Sequence, residues 1–232
     1  MELFFHPELI NGICELGENE SRHIRVLRKK PGDIIVLTDG MGHRAECVIE
    51  EAGPKKCMVY VQKTESIERP VPQLILAVSP LKNPDRFEWL IEKCTESGVG
   101  TIVPLVCERT EAMLKKTDRL QRIIQAATIQ SLQYFMPVLN QPVRFEDFLS
   151  WFPVGNKLIA WCEDASKTPI LSALKDGSDA IILIGPEGDF TEAEFNMAVQ
   201  AGYHAISLGP NRLRTETAAV LAAHAFYLMN RK

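Results

Sequence analysis

Short apolar segments alternate with amphipathic segments from residue 72 onwards, and this alternation constrains the fold more than any other feature of the sequence. Each apolar segment is rich in valine, isoleucine and leucine, which is typical of strands buried in a parallel sheet. Five such strands are predicted: Leu74–Val78, Thr101–Val106, Lys157–Trp161, Ala180–Ile184 and Ala205–Leu208. Strands that alternate with helices predict an α/β domain whose ligand lies beyond the carboxyl ends of the strands.

Capping signals mark the helices between these strands. Asn83 followed by Pro84 is typical of an N-cap and a first helical position, and Thr191 with Glu194 has the spacing of a capping box. A glycine after an amphipathic stretch favours termination there. Four helices are predicted: Pro84 to Gly98, about Thr117 to Tyr134, Thr191 to Gly202, and about Thr217 to Leu228.

The first 69 residues follow a different pattern. The segments Asp33–Thr38, Arg44–Ile49 and Cys57–Val61 read as short strands separated by turn residues, which indicates a small β-rich module. Pro70 and Pro72 then interrupt every periodicity, as in an interdomain linker. The sequence therefore predicts two domains, residues 1–69 and residues 72–232.

The composition excludes several classes of protein. With 46% hydrophobic and 24% charged residues, the chain has the composition of a globular protein rather than a disordered or fibrous one. No apolar run approaches the roughly 20 residues of a membrane span, and the N-terminal residues lack the pattern of a secretory signal. The six cysteines are widely spaced and do not cluster with histidine, so no metal site is expected. We therefore expect a cytoplasmic protein without a membrane partner.

The net charge of −4 means that any nucleic-acid surface must be a local patch. One candidate is the segment from Arg22 to Lys30, whose positive charges are Arg22, Arg25, Arg28, Lys29 and Lys30. Cations at this density are natural partners of backbone phosphates, although the segment also fits a solvated turn. In the second domain, Lys82, Arg86 and Arg109 are further candidates for contacts with RNA. A solvated helix face is the alternative interpretation of Arg86.

Two Gly-Pro turns follow two of the predicted strands. The first is Gly185-Pro186-Glu187-Gly188 and the second is Gly209-Pro210, and each leads into a predicted helix. Glycine lets backbone N–H and C=O groups approach a ligand without a Cβ atom in the way. At adjacent strand ends the turns would form two walls of one pocket; alternatively, each is an ordinary strand-to-helix connection. Arg212 and Arg214 after the second turn would then be solvent-exposed or paired with Glu216.

These turns lie in longer motifs that resemble a known family. Leu183–Gly188 (Leu-Ile-Gly-Pro-Glu-Gly) and Leu208–Ala218 (Leu-Gly-Pro-Asn-Arg-Leu-Arg-Thr-Glu-Thr-Ala) are similar to the C-terminal motifs of the RsmE family. This family consists of SPOUT-class methyltransferases that modify N3 of a uridine in 16S ribosomal RNA. The resemblance continues upstream, in Ser79–Lys82, Glu92–Val99, Ile102–Leu105, Glu108-Arg109, and His23–Arg28 followed by Gly32-Asp33. It spans essentially the whole chain, about residues 1–232.

The resemblance implies a fold and a cofactor. It implies a SPOUT α/β-knot domain with a parallel sheet and a C-terminal trefoil knot, preceded by a small PUA-like β-barrel domain that binds RNA. It also implies a homodimer that completes each site from both subunits. Periodicity cannot indicate a knot, because knots are exceptions to ordinary topology rules. S-adenosylmethionine is expected in the knot loops, held by Ile184, Gly185, Glu187, Gly188, Leu208, Gly209, Leu213, Arg214 and Thr217.

The same resemblance implies that the chain methylates 16S rRNA of the small ribosomal subunit. Uracil N3 carries a proton at neutral pH, so the site must remove this proton or stabilise the anion. Arg214 is the candidate for stabilising negative charge on a uracil carbonyl, and Glu216 for orienting Arg214 or acting as the base. The chain departs from the family at Gln133, where relatives usually carry a basic residue. The alternative is a non-catalytic RNA-binding or ribosome-assembly factor with the same fold.

Overall fold

The computed structural model describes residues 2–9, 12–53, 56–114, 117–151, 155–163 and 166–230. The chain forms two compact units. The first contains residues 1–69 and 125–136, and the second contains residues 70–124 and 137–232. Within the described ranges, no helix is both long enough and apolar enough to cross a membrane.

The first unit is built around a five-stranded sheet. Its elements are β1 (Leu3–Phe5), β2 (Gly12–Leu16), α1 (Glu18–Val26), β3 (Ile34–Thr38), β4 (His43–Ala52) and β5 (Cys57–Ser66). The strand order is β1-β3-β4-β5-β2, with β1 parallel to β3 and the other neighbours antiparallel. Alternate side chains, among them Leu37, Cys47 and Val59, point into a buried core that also contains Phe4. The β-rich module that the sequence predicts is confirmed.

The segment 125–136 joins the first unit through backbone hydrogen bonds. The N–H of Gly42 donates to the carbonyl of Tyr134 at 2.8 Å, and the N–H of Met136 donates to the carbonyl of Gly40 at 2.8 Å. The sequence pattern assigns this segment to the second domain. Nothing in its periodicity indicates that it pairs with the turn between β3 and β4.

The second unit is an α/β layer structure. Its elements in chain order are β6 (Leu74–Val78), α2 (Pro84–Glu96), β7 (Thr101–Val106), α3 (Asp118–Gln130), β8 (Val138–Leu139), β9 (Val143–Arg144), α4 (Phe145–Leu149), β10 (Asn156–Ala160), β11 (Thr168–Pro169), α5 (Ile170–Ala173), β12 (Ala180–Ile184), α6 (Glu192–Gln200), β13 (His204–Ser207) and α7 (Thr215–Asn230). The last residues of α3 belong to the first unit. The parallel strands have the order β11-β13-β10-β12-β6-β7-β8, and β9 pairs with the end of β7.

The centre of this sheet is its most deeply buried part. All five residues of β12 are buried, and β12 pairs with β10 on one side and β6 on the other. Helix α7 packs against β6, β12 and α2. Its buried alanines, including Ala219, Ala222 and Ala223, let the helix backbone approach the sheet closely. The carboxyl ends of the central strands are thereby held in a rigid frame.

Most predicted elements of the second unit are confirmed. Strands β6, β7 and β12 have the predicted bounds, and β10 and β13 begin and end one residue earlier than predicted. Asn83 caps α2, since its Oδ1 accepts from the N–H of Asp85 at 2.9 Å. The capping box of α6 is also present, with Glu194 Oε2 accepting from the N–H of Thr191 at 2.8 Å.

Several helix predictions are wrong in detail. Helix α3 ends at Gln130 rather than Tyr134, because Leu132 adopts a left-handed backbone conformation with φ of 57°. Helix α7 begins at Thr215, two residues before the predicted start. The basic segment is partly helical, since Arg22 and Arg25 lie on α1. Helices α4 and α5 were not predicted, because they are too short for a helical periodicity to emerge.

Candidate functional site

A cavity of about 340 Å³ opens at the carboxyl end of β12, and segments that follow both Gly-Pro turns contribute to its wall. Ile184, Gly185 and Glu187 line it from the segment that ends β12 and follows it. Leu213 and Arg214 line it from the segment before α7. The cavity lies where the alternation of strands and helices predicts a ligand.

A second cavity, of about 420 Å³, adjoins the first. Gly188, Leu208 and Gly209 line it, and it shares Cys162 and Leu213 with the first cavity. The residues expected to hold the cofactor therefore fall around two neighbouring concavities. Thr217 is an exception, because this exposed residue lies outside both linings.

The expectation that the two Gly-Pro turns follow adjacent strands is wrong. Strand β10 lies between β12 and β13 and pairs with both. The turns still meet, because parallel strands end at the same edge of the sheet. The end of β10 adds Ala160 and Cys162 to both cavities. Sequence reasoning missed this third wall, since no glycine or proline follows Trp161 to indicate a close approach.

Residues 185–191, which we call the β12 loop, are held by neighbouring side chains. Arg109 Nη1 donates to the carbonyls of Gly188 at 2.7 Å and Phe190 at 3.2 Å. The backbone N–H of Lys82 donates to Glu187 Oε1 at 3.2 Å. Arg109, expected to contact RNA, thus has part of its guanidinium engaged in holding this loop.

Asp189 ties the β12 loop to the end of β10. Its Oδ2 accepts from the N–H of Cys162 at 2.9 Å, and its Oδ1 accepts from the N–H of Phe190 at 2.8 Å. Asp189 has φ of 62°, a left-handed conformation that aspartate tolerates better than most residues. In the sequence, only the position of Asp189 directly after Gly188 points to this role.

Gly185 is required in the β12 loop because space is limited. The residue is buried, and an added Cβ would lie 3.1 Å from both Cδ2 and the backbone N of Phe190. Phe190 belongs to the core beneath the sheet edge. The backbone of Gly185 therefore lines the cavity directly, with no side chain between it and a ligand.

Residues 208–214, which we call the β13 loop, are much less restrained. Gly209 has φ of 135°, and an added Cβ would meet nothing within 4 Å. Ser207 Oγ donates to the carbonyl of Gly209 at 3.1 Å and accepts from its N–H at 3.3 Å. Among the residues that the structure describes, no side chain from another element forms a hydrogen bond with residues 208–213. Gly209 is thus required for its backbone conformation rather than for space.

Arg86 and Glu216 form a bidentate ion pair at the first cavity. Arg86 Nε donates to Glu216 Oε1 at 2.8 Å, and Nη2 donates to Oε2 at 2.6 Å. The Glu216 side chain is only 9% exposed and that of Arg86 is 31% exposed. Glu216 therefore contacts Arg86 and not Arg214, the residue that it was expected to orient. Arg86 belongs to the cavity wall rather than to a solvated helix face.

The other candidate cations differ in their exposure and in their partners. Arg214 is exposed at the rim of the first cavity. Lys82 pairs with Glu111 at 2.7 Å, and the hydrogen bond to this carboxylate raises the pKa of Lys82. In the first unit, Arg22 pairs with Glu18 at 2.9 Å and Lys29 with Glu2 at 3.0 Å.

Arg25, Arg28 and Lys30 are the unpaired cations of the basic segment. All three are exposed, and none forms an ion pair with any acidic residue in the part of the chain that the structure describes. Arg25 lies on α1 and Arg28 follows it with φ of 59°. Their charges are thus available to an external anion.

Metal ligation receives no support from the described residues. Across these ranges, no group of three or more His, Cys, Asp or Glu side chains could hold a metal ion. Five of the six cysteines are buried, and Cys162 is exposed at the cavities.

Comparison with known proteins relates both units to RNA methyltransferases. The RNA methyltransferase domain family matches residues 68–227, and the RNA methyltransferase PUA domain family matches residues 16–59. The chain is 30% identical over 222 residues to the ribosomal RNA small subunit methyltransferase E of Bacillus subtilis, covering 90% of this chain and 87% of the relative.

Solved structures resemble the whole chain. A probable rRNA-methyltransferase from Porphyromonas gingivalis superposes with a TM-score of 0.91 at 35% identity, covering 99% of this chain and 98% of the other. The ribosomal RNA small subunit methyltransferase E of Neisseria gonorrhoeae, bound to S-adenosyl methionine, superposes with a TM-score of 0.86 at 29% identity, covering 99% and 98% of the two chains.

Proposed function

The chain belongs to the ribosomal RNA small subunit methyltransferase E family, and we propose that it methylates N3 of a specific uridine in 16S rRNA with S-adenosylmethionine as methyl donor. The observation that carries this proposal is the convergence of the β12 and β13 loops on adjoining cavities at one edge of the sheet. The motifs that resemble the family are the segments that form these walls. Their arrangement supports a ligand site rather than two unrelated connections.

The residues at the cavities fit S-adenosylmethionine, which supplies a methyl group on a positively charged sulfur when bound. Ile184 and Leu213 offer apolar surface for the flat base of the ligand, and Gly185 offers bare backbone. Glu187 places a carboxylate on the wall, which suits a cationic ligand. The volumes of about 340 and 420 Å³ match the size of pockets for ligands of this class.

We propose that Ile184, Gly185, Glu187 and Gly188 of the first wall and Leu208, Gly209, Leu213 and Arg214 of the second hold the methyl donor. Family membership also supports a trefoil knot that contains these loops. For the target base, exposed Arg214 at the cavity rim is suited to stabilising charge on a uracil carbonyl.

The decisive experiment is methyl transfer. We expect purified protein, incubated with methyl-labelled S-adenosylmethionine and small ribosomal subunits that lack the modification, to produce labelled N3-methyluridine. Digestion of the RNA to nucleosides followed by mass spectrometry identifies the product. Subunits that already carry the modification serve as the control and should accept no label. If label is absent, or is found in another nucleoside, the proposed activity is wrong.

We propose further that the basic segment of the first unit contacts RNA phosphates. Arg25→Glu with Arg28→Glu should weaken RNA binding and lower the slope of log affinity against log salt by roughly 0.7–0.9 for each lost contact. Affinity for S-adenosylmethionine should stay the same, because its proposed walls lie in the second unit. The matched control is Lys63→Glu, which reverses an exposed cation of β5. An unaltered salt slope in the double variant would assign the segment to a solvated surface.

We propose a cytoplasmic homodimer, as the family resemblance implies, with 16S rRNA as its macromolecular partner. Sedimentation equilibrium tests the oligomeric state directly. A mass equal to one chain, 26.0 kDa, at micromolar concentration would contradict the dimer.

A further inference from the structure

Glu216 binds one side of the Arg86 guanidinium and leaves its other side available. Glu216 accepts from Nε and from one N–H of Nη2. A guanidinium has five N–H donors, so three remain, and these three have no hydrogen-bond partner among the described residues. Arg86 also lines the first cavity, beside the β12 loop and Arg214. The pair therefore presents a fixed cation with available donors to whatever occupies the cavity.

The same geometry makes Glu216 unsuited to accepting a proton. Both of its oxygens accept from Arg86 at short distances, and its side chain is 9% exposed. Glu216 is not among the residues that line the first cavity, so its carboxylate faces Arg86 rather than a ligand there. A general base must instead have a free oxygen within reach of the proton that it removes.

We propose that Arg86 is a catalytic residue that stabilises the uracil anion, and that Glu216 is a positioning residue that acts only through Arg86. This inference rests on the proposed uracil methylation. When N3 loses its proton to solvent water, the negative charge spreads onto the two neighbouring carbonyl oxygens, where guanidinium N–H groups stabilise it. The N3 electron pair then forms the new bond to the methyl carbon, and the electron pair of the broken carbon–sulfur bond stays on sulfur.

Two variants distinguish a positioning role of Glu216 from a role as general base. Glu216→Gln keeps one oxygen to hold Arg86, so single-turnover methylation should fall by only about tenfold. The double variant Arg86→Met with Glu216→Gln removes the catalytic cation and should reduce the rate by about 10²–10³-fold. It leaves no unpaired buried charge, and neutral replacement of a buried ion pair is often tolerated, so we expect it to fold. The matched control is Glu88→Gln, which makes the same change in a different Arg–Glu pair, with Arg119 at 2.6 Å, and should leave the rate unchanged.

The dependence of the rate on pH distinguishes a catalytic role from a structural one. Without the Arg86 cation, ionisation of N3 requires a higher pH, so the deficit of the double variant should shrink as the pH rises. Binding of S-adenosylmethionine and of RNA, measured separately by calorimetry and filter binding, should change by less than about twofold in the double variant, because the interaction proposed is made with the anion.

Several results would overturn the inference. If Glu216→Gln were as inactive as the double variant, Glu216 would be the base. If the double variant lost affinity for S-adenosylmethionine in parallel with its rate, Arg86 would serve binding of the methyl donor. A rate deficit independent of pH would indicate a structural role. These outcomes all require an active wild-type protein; a wild type that transfers no label would instead overturn the proposed function, and this inference with it.

Discussion

The β12 loop and the β13 loop share a sequence pattern but differ in how they are held. Each follows a parallel strand, contains a Gly-Pro turn and precedes a helix. The β12 loop is fastened by Arg109 and Asp189, whereas the hydrogen bonds at Gly209 come from Ser207, only two residues away. One pattern can therefore produce a fixed wall or an adjustable wall, and the difference depends on side chains outside the pattern.

This difference changes what a glycine contributes. At Gly185 the chain is packed against Phe190, so the absence of a side chain preserves the folded structure. At Gly209 there is open space, so the absence of a side chain permits a backbone conformation that other residues rarely adopt. Substitution at Gly185 should thus alter stability, and substitution at Gly209 should alter ligand binding.

The largest effect is expected from removing the fastening side chain of the β12 loop. Asp189→Ala leaves the N–H groups of Cys162 and Phe190 without their acceptor and places alanine at φ of 62°. Together these changes should lower the free energy of unfolding of the second unit by about 3–5 kcal/mol. Denaturant titration measures this change.

Asp189→Asn is the matched control for that substitution. Asparagine tolerates the left-handed conformation and keeps one acceptor oxygen, so the loss should be about half as large. Equal stability of wild type and Asp189→Ala would contradict the proposed difference between the two loops, because the β12 loop would then not depend on this carboxylate.

A smaller loss of stability is expected from Gly185→Ala. The added methyl group would lie 3.1 Å from Phe190, and overpacking of this kind costs about 1–3 kcal/mol. The melting temperature should fall by roughly 2–4 °C for each kcal/mol. Gly188→Ala, in the same loop, is the control, because its added Cβ would lie no closer than 3.4 Å to its nearest neighbour, Arg109. A melting temperature no lower than that of the control would mean that the β12 loop can relax.

Gly209→Val should act on binding instead. The exposed β13 loop can relax away from φ of 135° in the free protein, so the free energy of unfolding should be nearly unchanged. If the bound state requires this conformation, returning the valine backbone to it costs about 1–3 kcal/mol. The affinity for S-adenosylmethionine should then fall roughly 5–150-fold. Calorimetric titration tests this expectation, and normal affinity would remove Gly209 from the proposed site.

The sequence could predict the two loops because their signals are local. Glycine, proline and the Thr191–Glu194 capping box specify backbone geometry within a few residues, and the strands before them are continuous apolar runs. The same local reasoning predicted strands β6, β7 and β12 with their observed bounds. It failed where a short or polar segment, such as α1 or α4, carries too little periodicity.

The contacts that distinguish the loops could not be predicted, because they join residues that are distant in the sequence. Arg86 reaches Glu216 across the interface of α2 and α7, and Arg109 reaches the β12 loop from the end of β7. Each pairing depends on the strand order, in which β10 unexpectedly separates β12 from β13. A single sequence specifies the charges but not which of them meet.

The smallest effect is expected on the alkylation rate of Cys162. This residue lies between the two loops and therefore probes both. Burial raises the pKa of the Cys162 thiol, Asp189 of the β12 loop raises it further, and Arg212 of the β13 loop lowers it. Because the thiolate is the nucleophile, Arg212→Met should slow alkylation of Cys162 at fixed pH. The change should be less than about threefold, since Arg212 is exposed and its charge is screened.

Selective labelling makes this small change measurable, because the other five cysteines are buried. Iodoacetamide labelling followed by peptide mass spectrometry gives the rate at Cys162, and Lys175→Met, at another exposed cation, is the control. Asp189→Asn should change the rate in the opposite direction, since it removes a negative charge beside the thiol. If Arg212→Met behaved like the control while Asp189→Asn did not, the charge of the fixed wall would act on Cys162 and that of the adjustable wall would not. Arg212 would then spend its time away from the thiol in solution, and the contrast between the loops would be larger than their static geometry implies.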